Sequence, residues 1–265
     1  MAGFRLKMAT QLGEKVAQDH GFTNFPISPA EIAKAKGITV EAKPAEIKGI
    51  SGALIFAGND VRLIYSTEYN NAGFERFSMA HELGHYFLPG HPEEIINGGG
   101  SHVSRSNFVE NSSIELEADH FASGLLMPSH LVRDCLNKNG IGLDGIIALA
   151  DAAECSRTAA AIRAAECSEY PMAIIVSQGD QISYCFMSDG FKGLGRLSFL
   201  RKSSPLPFGT TTRTFNTKQD NISNASRVCG ETTLADWFDG SGQVKLDEDV
   251  MGLGNYGYGP YGIAR

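Results

Sequence analysis

Apolar positions in the first part of the chain recur with helical spacing, and short alternating runs lie between them. Met8, Leu12 and Val16 lie four residues apart and predict an amphipathic helix that ends at a glycine. Ser28, followed by a proline, predicts the N-terminus of a second helix. Residues 38–42 (ITVEA) alternate in the way that a half-buried strand does.

The next segment predicts a hairpin followed by a long helix. Residues 51–56 and 61–65 are apolar runs joined by the turn sequence Gly58-Asn-Asp, which is typical of a β-hairpin. This hairpin lies shortly before the helix. We expect residues 53–56 of its first strand to form an open edge where an extended segment can pair, and the alternative is a hairpin buried on both sides. Residues 74–88 have one apolar face and end before Pro89, so they predict a helix.

Beyond this helix the pattern becomes less regular. Residues 89–111 are rich in Gly, Ser and Asn and predict a long loop. Residues 114–127 predict a helix that stops at a proline, and two further helical segments are expected within 131–167. Short β-like runs begin at Met172, and the Gly/Tyr-rich residues 252–262 predict a poorly ordered tail.

These elements predict an α+β protein. We expect a first domain at residues 1–130, with a small twisted sheet and the helix 74–88. A helical segment at 131–168 and a β-containing domain at 169–265 follow. The charged residues of the helical segment sum to −1 and its last helix is mostly alanine, so this segment is expected to pack rather than to bind DNA.

Composition excludes several classes of protein. The 265 residues carry a formal charge of −7, which argues against a nucleic-acid-binding surface. Five cysteines form no CxxC pair, and the first twenty residues lack the apolar run of a signal peptide. No stretch is long and apolar enough to span a bilayer. We therefore expect a cytoplasmic protein without a membrane partner.

Residues 81–85 (HELGH) form an HExxH motif on the predicted helix. Spacing of four places His81 and His85 on one face, one turn apart, so that both imidazoles can bind one metal ion. Glu82 lies beside that face and can act as a general base on a water molecule. With seven histidines, this motif arises by chance in on the order of one such chain in a hundred. A metal site is therefore the favoured interpretation.

A catalytic zinc site needs a third protein ligand, and residues 115–119 supply three acids. Glu115 lies at the border of the apolar arc, where it is either a metal ligand or the partner of Ser112 in a capping box. Because HExxH precedes it, we favour the ligand. Asp119 lies four residues on and can accept the free N–H of a ligating imidazole. Glu117 is expected on a solvated face.

The other histidines have competing interpretations. His91 and His102 lie in the predicted loop, where either could stabilise an oxyanion or be exposed to solvent. Exposure is favoured for His91, and the two interpretations are evenly balanced for His102. His20, His120 and His130 are expected to be structural or exposed.

The chain resembles the ImmA/IrrE family of metallopeptidases. The resemblance rests on residues 76–88 (RFSMAHELGHYFL), on residues 115–128 (ELEADHFASGLLMP) and on Ile50-Ser-Gly, and it extends over about the first 165 residues. It implies a thermolysin-like zincin fold. It also implies a site in which the metal ligands are His81, His85 and Glu115, the general base is Glu82, and Asp119 supports a ligand.

The resemblance also implies a substrate class. Members of this family cleave helix-turn-helix repressors of the phage-repressor type and so relieve repression under stress. The alternative is a non-proteolytic metal-binding regulator or sensor, against which the presence of Glu82 argues, because a structural zinc site needs no base. The expected cofactor is Zn²⁺, although Mn²⁺ or Fe²⁺ can occupy the same ligands.

Overall fold

The computed structural model describes residues 2–44, 46–105 and 113–254. The chain divides into two compact units, one formed by Met1–Val132 with Asp151–Ser156 and the other by Arg133–Ala150 with Arg157–Arg265. Within the described residues, no helix is both long enough and apolar enough to cross a membrane. The α+β class is confirmed, whereas the division into three domains stays a prediction.

The described residues of the first unit form a four-stranded sheet and five helices. The helices are α1 (Ala2–Asp19), α2 (Pro29–Ala35), α3 (Ala72–Phe87), α4 (His91–Asn97) and α5 (Ser113–Leu126), and the strands are β1 (Thr39–Ala42), β2 (Ile50–Ala57), β3 (Asp60–Tyr65) and β4 (Ser101–Arg105). The strand order is β1-β3-β2-β4, in which β1 is parallel to β3 and the other pairs are antiparallel. The predicted hairpin is therefore confirmed as β2 and β3.

Two expectations about this region are wrong. Residues 89–111 do not form one long loop, because α4 and β4 lie within them, although residues 106–112 fall outside the described part of the chain. Gly90 adopts a left-handed conformation (φ 91°) that separates α3 from α4. The hairpin does not present β2 as an edge, since β2 pairs with β3 on one side and with β4 on the other. The strand at that edge of the sheet is β4.

Helix α3 has clear start and stop signals. The Asn71 side chain accepts a hydrogen bond from the Phe74 amide at 3.0 Å, and Leu88, which precedes a proline, is extended. Gly84 lies where α3 meets α5, and a Cβ atom there would be 3.0 Å from the Ala118 Cα atom. The glycine inside this helix is therefore explained by a close backbone approach between α3 and α5.

Helices α1 and α5 approach each other even more closely through a pair of glycines. A Cβ atom on Gly13 would lie 2.2 Å from the Phe121 carbonyl oxygen, and one on Gly124 would lie 2.1 Å from the Thr10 carbonyl oxygen. Each glycine thus accommodates the backbone of the facing helix. This contact fixes α5 between α1 and α3, and Phe121 is fully buried beside it.

The second unit contains the remaining elements. They are α6 (Ser129–Asn139) and α7 (Leu143–Ala153), each of which also contributes residues to the first unit, α8 (Arg157–Cys167), β5 (Ala173–Gln178), β6 (Gln181–Met187), α9 (Asp189–Lys192), α10 (Thr211–Asn216), α11 (Gln219–Ser223), β7 (Arg227–Thr233), α12 (Leu234–Phe238) and β8 (Lys245–Met251). Two antiparallel pairs, β5–β6 and β7–β8, form its sheets. Its apolar core includes Ile182, Trp237 and Phe238.

Two other expectations fall in this part of the chain. Residues 131–167 contain three helices rather than the two expected, because a bend at Glu154, where φ is positive, separates α7 from α8. The hydrophobic pattern of the sequence is not interrupted at that bend, so the pattern alone does not indicate two helices there. Most of the predicted Gly/Tyr-rich tail, residues 255–262, lies outside the described residues.

The glycine contact between α1 and α5 predicts that Gly13→Ala destabilises the first unit. The new methyl group would overlap the α5 backbone, and forcing the helices apart costs about 1–3 kcal/mol of unfolding free energy. Gly3→Ala on the same helix is the matched control, because no atom lies within 4 Å of its Cβ position. It should leave stability unchanged or slightly higher. Urea denaturation followed by circular dichroism measures both variants, and equal stability of Gly13→Ala and wild type would contradict this packing.

Candidate metal centre

The HExxH residues His81, Glu82 and His85 all lie on α3 and are buried. His81 and His85 lie one turn apart, and their Nε2 atoms are 3.1 Å from each other. Glu82 is fully buried beside them. Its Oε1 atom accepts a hydrogen bond from the Ser104 hydroxyl at 2.6 Å, and a Cβ atom on Gly52 would lie 2.5 Å from that same oxygen. Strands β2 and β4 therefore form a pocket that fits the Glu82 carboxylate.

Helix α5 brings two acids to the histidine pair. Glu115 Oε2 lies 3.2 Å from His81 Nε2, and Glu115 Oε1 lies 3.4 Å from His85 Nε2. Asp119 Oδ1 lies 2.9 Å from His81 Nδ1, on the other side of that ring. Glu115 thus faces the Nε2 atoms of both histidines, whereas Asp119 can accept a hydrogen bond from Nδ1 of His81. Ser112, the alternative capping partner of Glu115, lies outside the described residues.

His102 on β4 completes this group. Its Nε2 atom lies 3.0 Å from Glu115 Oε1, and its ring centroid is 4.1 Å from that of His85. One ligand atom from each of His81, His85, His102 and Glu115 lies within 4.8 Å of all the others. Tetrahedral ligands at zinc–nitrogen distances of 2.0–2.1 Å are about 3.3 Å apart. The donor set therefore fits a zinc-like ion, either with three protein ligands or with four.

The electrostatics of the group follow from burial and from these contacts. Burial lowers the pKa of His85 to about 3, so the imidazole is neutral, as a metal ligand must be. Burial also raises the pKa of Glu82. Burial opposes the charged form of His81, yet hydrogen bonds to Asp119 and Glu115 hold its pKa well above the ordinary value. Burial likewise acts against ionised Glu115, but bonds from the three histidines hold its pKa well below the ordinary range.

Two expectations about charged residues near the site are wrong. Glu117 is 5% exposed rather than solvated, because α1 covers that side of α5 and Arg5 forms ion pairs with the Glu117 carboxylate at 3.0 Å. His91 is 2% exposed rather than solvent-facing. Its Nδ1 atom lies 3.2 Å from His85 Nδ1, and its Nε2 atom lies 3.6 Å from Glu117 Oε2. Both residues thus pack behind the histidine pair.

The remaining histidines agree with the expected structural or exposed roles. His130 is exposed, while His20 and His120 are partly buried. The His20 ring lies 2.8 Å from the Val16 carbonyl oxygen, and His120 lies 3.2 Å from the Thr10 hydroxyl.

Sequence patterns contain little signal for the additional members of the site. His102 and Ser104 lie on β4, whose strand character arises from pairing with β2 rather than from apolar alternation. Arg5 comes from a helix more than a hundred residues away from Glu117, so no local pattern joins them. The predicted exposure of Glu117 assumes a single apolar arc, whereas α5 packs against both α1 and α3.

Elsewhere, the described residues contain no second cluster of three or more His, Cys, Asp or Glu side chains that could hold a metal. The second unit has a cavity of about 230 Å³, lined mainly by β5, the end of β8 and helices α7, α8 and α10. Its lining includes no histidine or cysteine. The candidate metal-binding group of the described residues therefore lies in the first unit.

Comparison with solved structures finds a similar fold. A chain described as a Mycobacterium tuberculosis transcriptional regulator superposes with a TM-score of 0.53 at 12% sequence identity. The match covers 86% of the present chain and 65% of the other, so the present chain spans less than two thirds of that protein. At this identity the likeness extends to the fold alone. No curated protein matches the sequence.

Comparison with protein families agrees with the geometry. The peptidase family described as the IrrE N-terminal-like domain matches residues 33–165, which is half of the chain. The matched region contains the HExxH helix, strand β4 and the acids of α5. The chain therefore belongs to the IrrE N-terminal-like family of metallopeptidases.

Proposed function

We propose that this protein is a metal-dependent endopeptidase of narrow specificity, with His81, His85 and Glu115 as metal ligands and Glu82 as general base. The observation that carries the proposal is the environment of Glu82. Its Oε1 atom is held by Ser104, while Oε2 is buried and has no hydrogen-bond partner among the described residues. A buried oxygen left without a partner is costly, and a water molecule to be deprotonated would satisfy it.

The site would hold a zinc-like ion. The two histidines and Glu115 provide the imidazole–imidazole–carboxylate set of many catalytic zinc sites, and manganese or iron would fit the same donors. When bound, such an ion polarises the carbonyl of the scissile bond and makes a nearby water molecule more acidic.

The protein's own residues account for the proton transfers. Glu82 takes a proton from the attacking water and returns it to the amine that leaves. Ser104 and the absence of a side chain at Gly52 keep the carboxylate in one orientation, so little reorganisation is needed. Asp119 orients the His81 ring through Nδ1. We assign His102, whose Nε2 atom lies 3.0 Å from Glu115 Oε1, as the donor to the oxyanion that develops on the substrate.

We propose a helix-turn-helix repressor of the phage-repressor type as substrate, cut in the cytoplasm under stress. Membership in the IrrE-like family supports a protein substrate. The similar fold of a protein described as a transcriptional regulator agrees with a regulatory role. The five cysteines of the sequence include no CxxC pair, which agrees with a reducing compartment.

An extended segment of that substrate could pair with β4. The Phe56 amide donates to the Gly100 carbonyl at 2.7 Å, so by alternation the amides of His102 and Ser104 face β2. The Val103 amide then faces the side where the described chain supplies no further strand. Backbone hydrogen bonds along this edge would align a peptide beside His102.

The ligand assignment predicts the metal content of variants. Purified protein should contain about one zinc-like ion per chain, and His81→Ala or His85→Ala should remove it, because two ligands cannot hold the ion tightly. Glu115→Gln should weaken binding strongly, since a neutral amide replaces the carboxylate. His130→Ala, an exposed histidine on α6, is the control and should retain the metal. Elemental analysis that finds equal metal in all variants would rule out this site.

The role of Glu82 predicts a separation of metal binding from cleavage. Glu82→Gln should keep the fold and the metal but lose cleavage of a cognate repressor by 10²–10⁴-fold, which is typical when a general base is removed. Glu93→Gln changes an exposed carboxylate on α4 and should cleave like wild type. Gel electrophoresis after incubation with metal and repressor provides the measurement. Retained cleavage by metal-loaded Glu82→Gln would refute the mechanism.

One observation favours a second function, a metal-binding regulator that does not cut its partner. His102 is within reach of the same ion, and four protein ligands are typical of a structural zinc site. The two functions differ in what His102 does. A fourth ligand contributes to metal affinity, whereas an oxyanion donor contributes to the rate.

The peptidase proposal therefore predicts that His102→Ala keeps about one metal ion per chain while cleavage falls by about 10²–10³-fold. Metal affinity and turnover of the same preparation are compared with wild type. If the variant instead loses its metal and the wild type cleaves no repressor, the closed metal site of a regulator is favoured.

A further inference from the structure

The imidazole of His85 has two nitrogen atoms with different surroundings. Its Nε2 atom faces His81 and Glu115, where the metal ion of the proposed function would bind. Its Nδ1 atom faces away and lies 3.2 Å from Nδ1 of His91. Both rings are almost completely buried, so no solvent can replace this contact. The contact joins α3 to the first residue of α4.

A buried acid lies behind His91. The distance between His91 Nε2 and Glu117 Oε2 is 3.6 Å, and Glu117 is 5% exposed. The Arg5 guanidinium contacts both carboxylate oxygens of Glu117, with Nε–Oε1 and NH2–Oε2 distances of 3.0 Å. This two-point contact holds the buried carboxylate in one orientation.

Proton positions along this chain of contacts follow from one requirement. If His85 binds a metal through Nε2, its proton must be on Nδ1, which then donates to Nδ1 of His91. Because His91 accepts at Nδ1, its own proton must be on Nε2, which points at Glu117. We propose that His91, Glu117 and Arg5 form a positioning relay that holds His85 in the tautomer and orientation needed for metal binding. This inference rests on the metal site of the proposed function.

The relay differs from the support of the other histidine ligand. Asp119 contacts His81 directly, whereas His85 is connected to a carboxylate through a second imidazole. Arg5 lies on α1, before the family match begins at residue 33. Helix α1 would therefore contribute to metal binding as well as to the packing of α5.

The test measures zinc affinity of the full-length protein by competition with a chromogenic chelator. His91→Phe fills similar space but removes both nitrogen atoms. It should weaken zinc binding by about 10–100-fold, which is typical when the hydrogen-bonding partner of a metal-ligating histidine is removed. His91→Gln offers an acceptor and a donor and should recover most of the affinity. His130→Phe is the matched control on an exposed histidine and should bind like wild type.

Coupling within the relay gives a second measurement. Glu117→Gln should weaken zinc binding less than His91→Phe does, and the double variant should be no weaker than His91→Phe alone, because the two residues act in series. Adding Asp119→Asn to His91→Phe should instead multiply the separate losses, since these residues support different ligands.

Long-range ¹H–¹⁵N spectra of the zinc-loaded protein report which nitrogen of His85 carries the proton. The relay requires the proton of His85 to be on Nδ1 in the wild type. If His91 were purely structural, His91→Phe would change the melting temperature, and His91→Gln would not restore the zinc affinity. The relay is overturned if His91→Phe binds zinc as tightly as wild type, or if both His91 variants lose affinity equally. Zinc affinity is measured without substrate, so wild type that binds zinc but cleaves nothing would contradict the peptidase proposal and leave the relay intact.

Discussion

The close approach of α3 and α5 at Gly84 and Ala118 is the contact on which the site depends. Helix α3 supplies the histidine pair and α5 supplies Glu115, and these donors can meet only when the two backbones are almost in contact. A side chain at position 84 would move α5 outward and carry the carboxylate away from the imidazoles. Glycine within α3 costs about 0.8–1.0 kcal/mol of helix stability relative to alanine. The protein bears this cost because the close contact with α5 leaves no room for a side chain.

Helix α5 is fixed from its other side by α1. The glycines at positions 13 and 124 let the backbones of these helices come into contact, so α1 prevents α5 from moving away from α3. The same packing buries Glu117, and a buried carboxylate needs a partner. Arg5 from α1 and His91 from α4 provide that partner. Packing and chemistry are thus linked, because the helix that stabilises α5 also neutralises the acid that its packing buries.

The central part of the site was predictable from the sequence because it depends on short-range geometry. A spacing of four residues on a helix determines that His81 and His85 face the same side, and their neighbour Glu82 follows from the same arithmetic. The hairpin of β2 and β3 was predictable for a similar reason, since its turn sequence and alternating runs are local. The resemblance to the metallopeptidase family also predicts Glu115 as a ligand, and the Glu115 carboxylate lies close to both histidines.

The rest depended on tertiary structure. Strand β4 is a strand because β2 pairs with it, and its sequence alone suggested a loop, so neither its edge position nor the approach of His102 to Glu115 could be inferred. Helical periodicity placed Glu117 away from the apolar arc, but it could not show that α1 covers that side. The sequence by itself determined which residues share one helix face and which local elements form. Tertiary packing decided which faces are buried and which distant side chains meet, because burial and strand pairing depend on segments far apart in the chain.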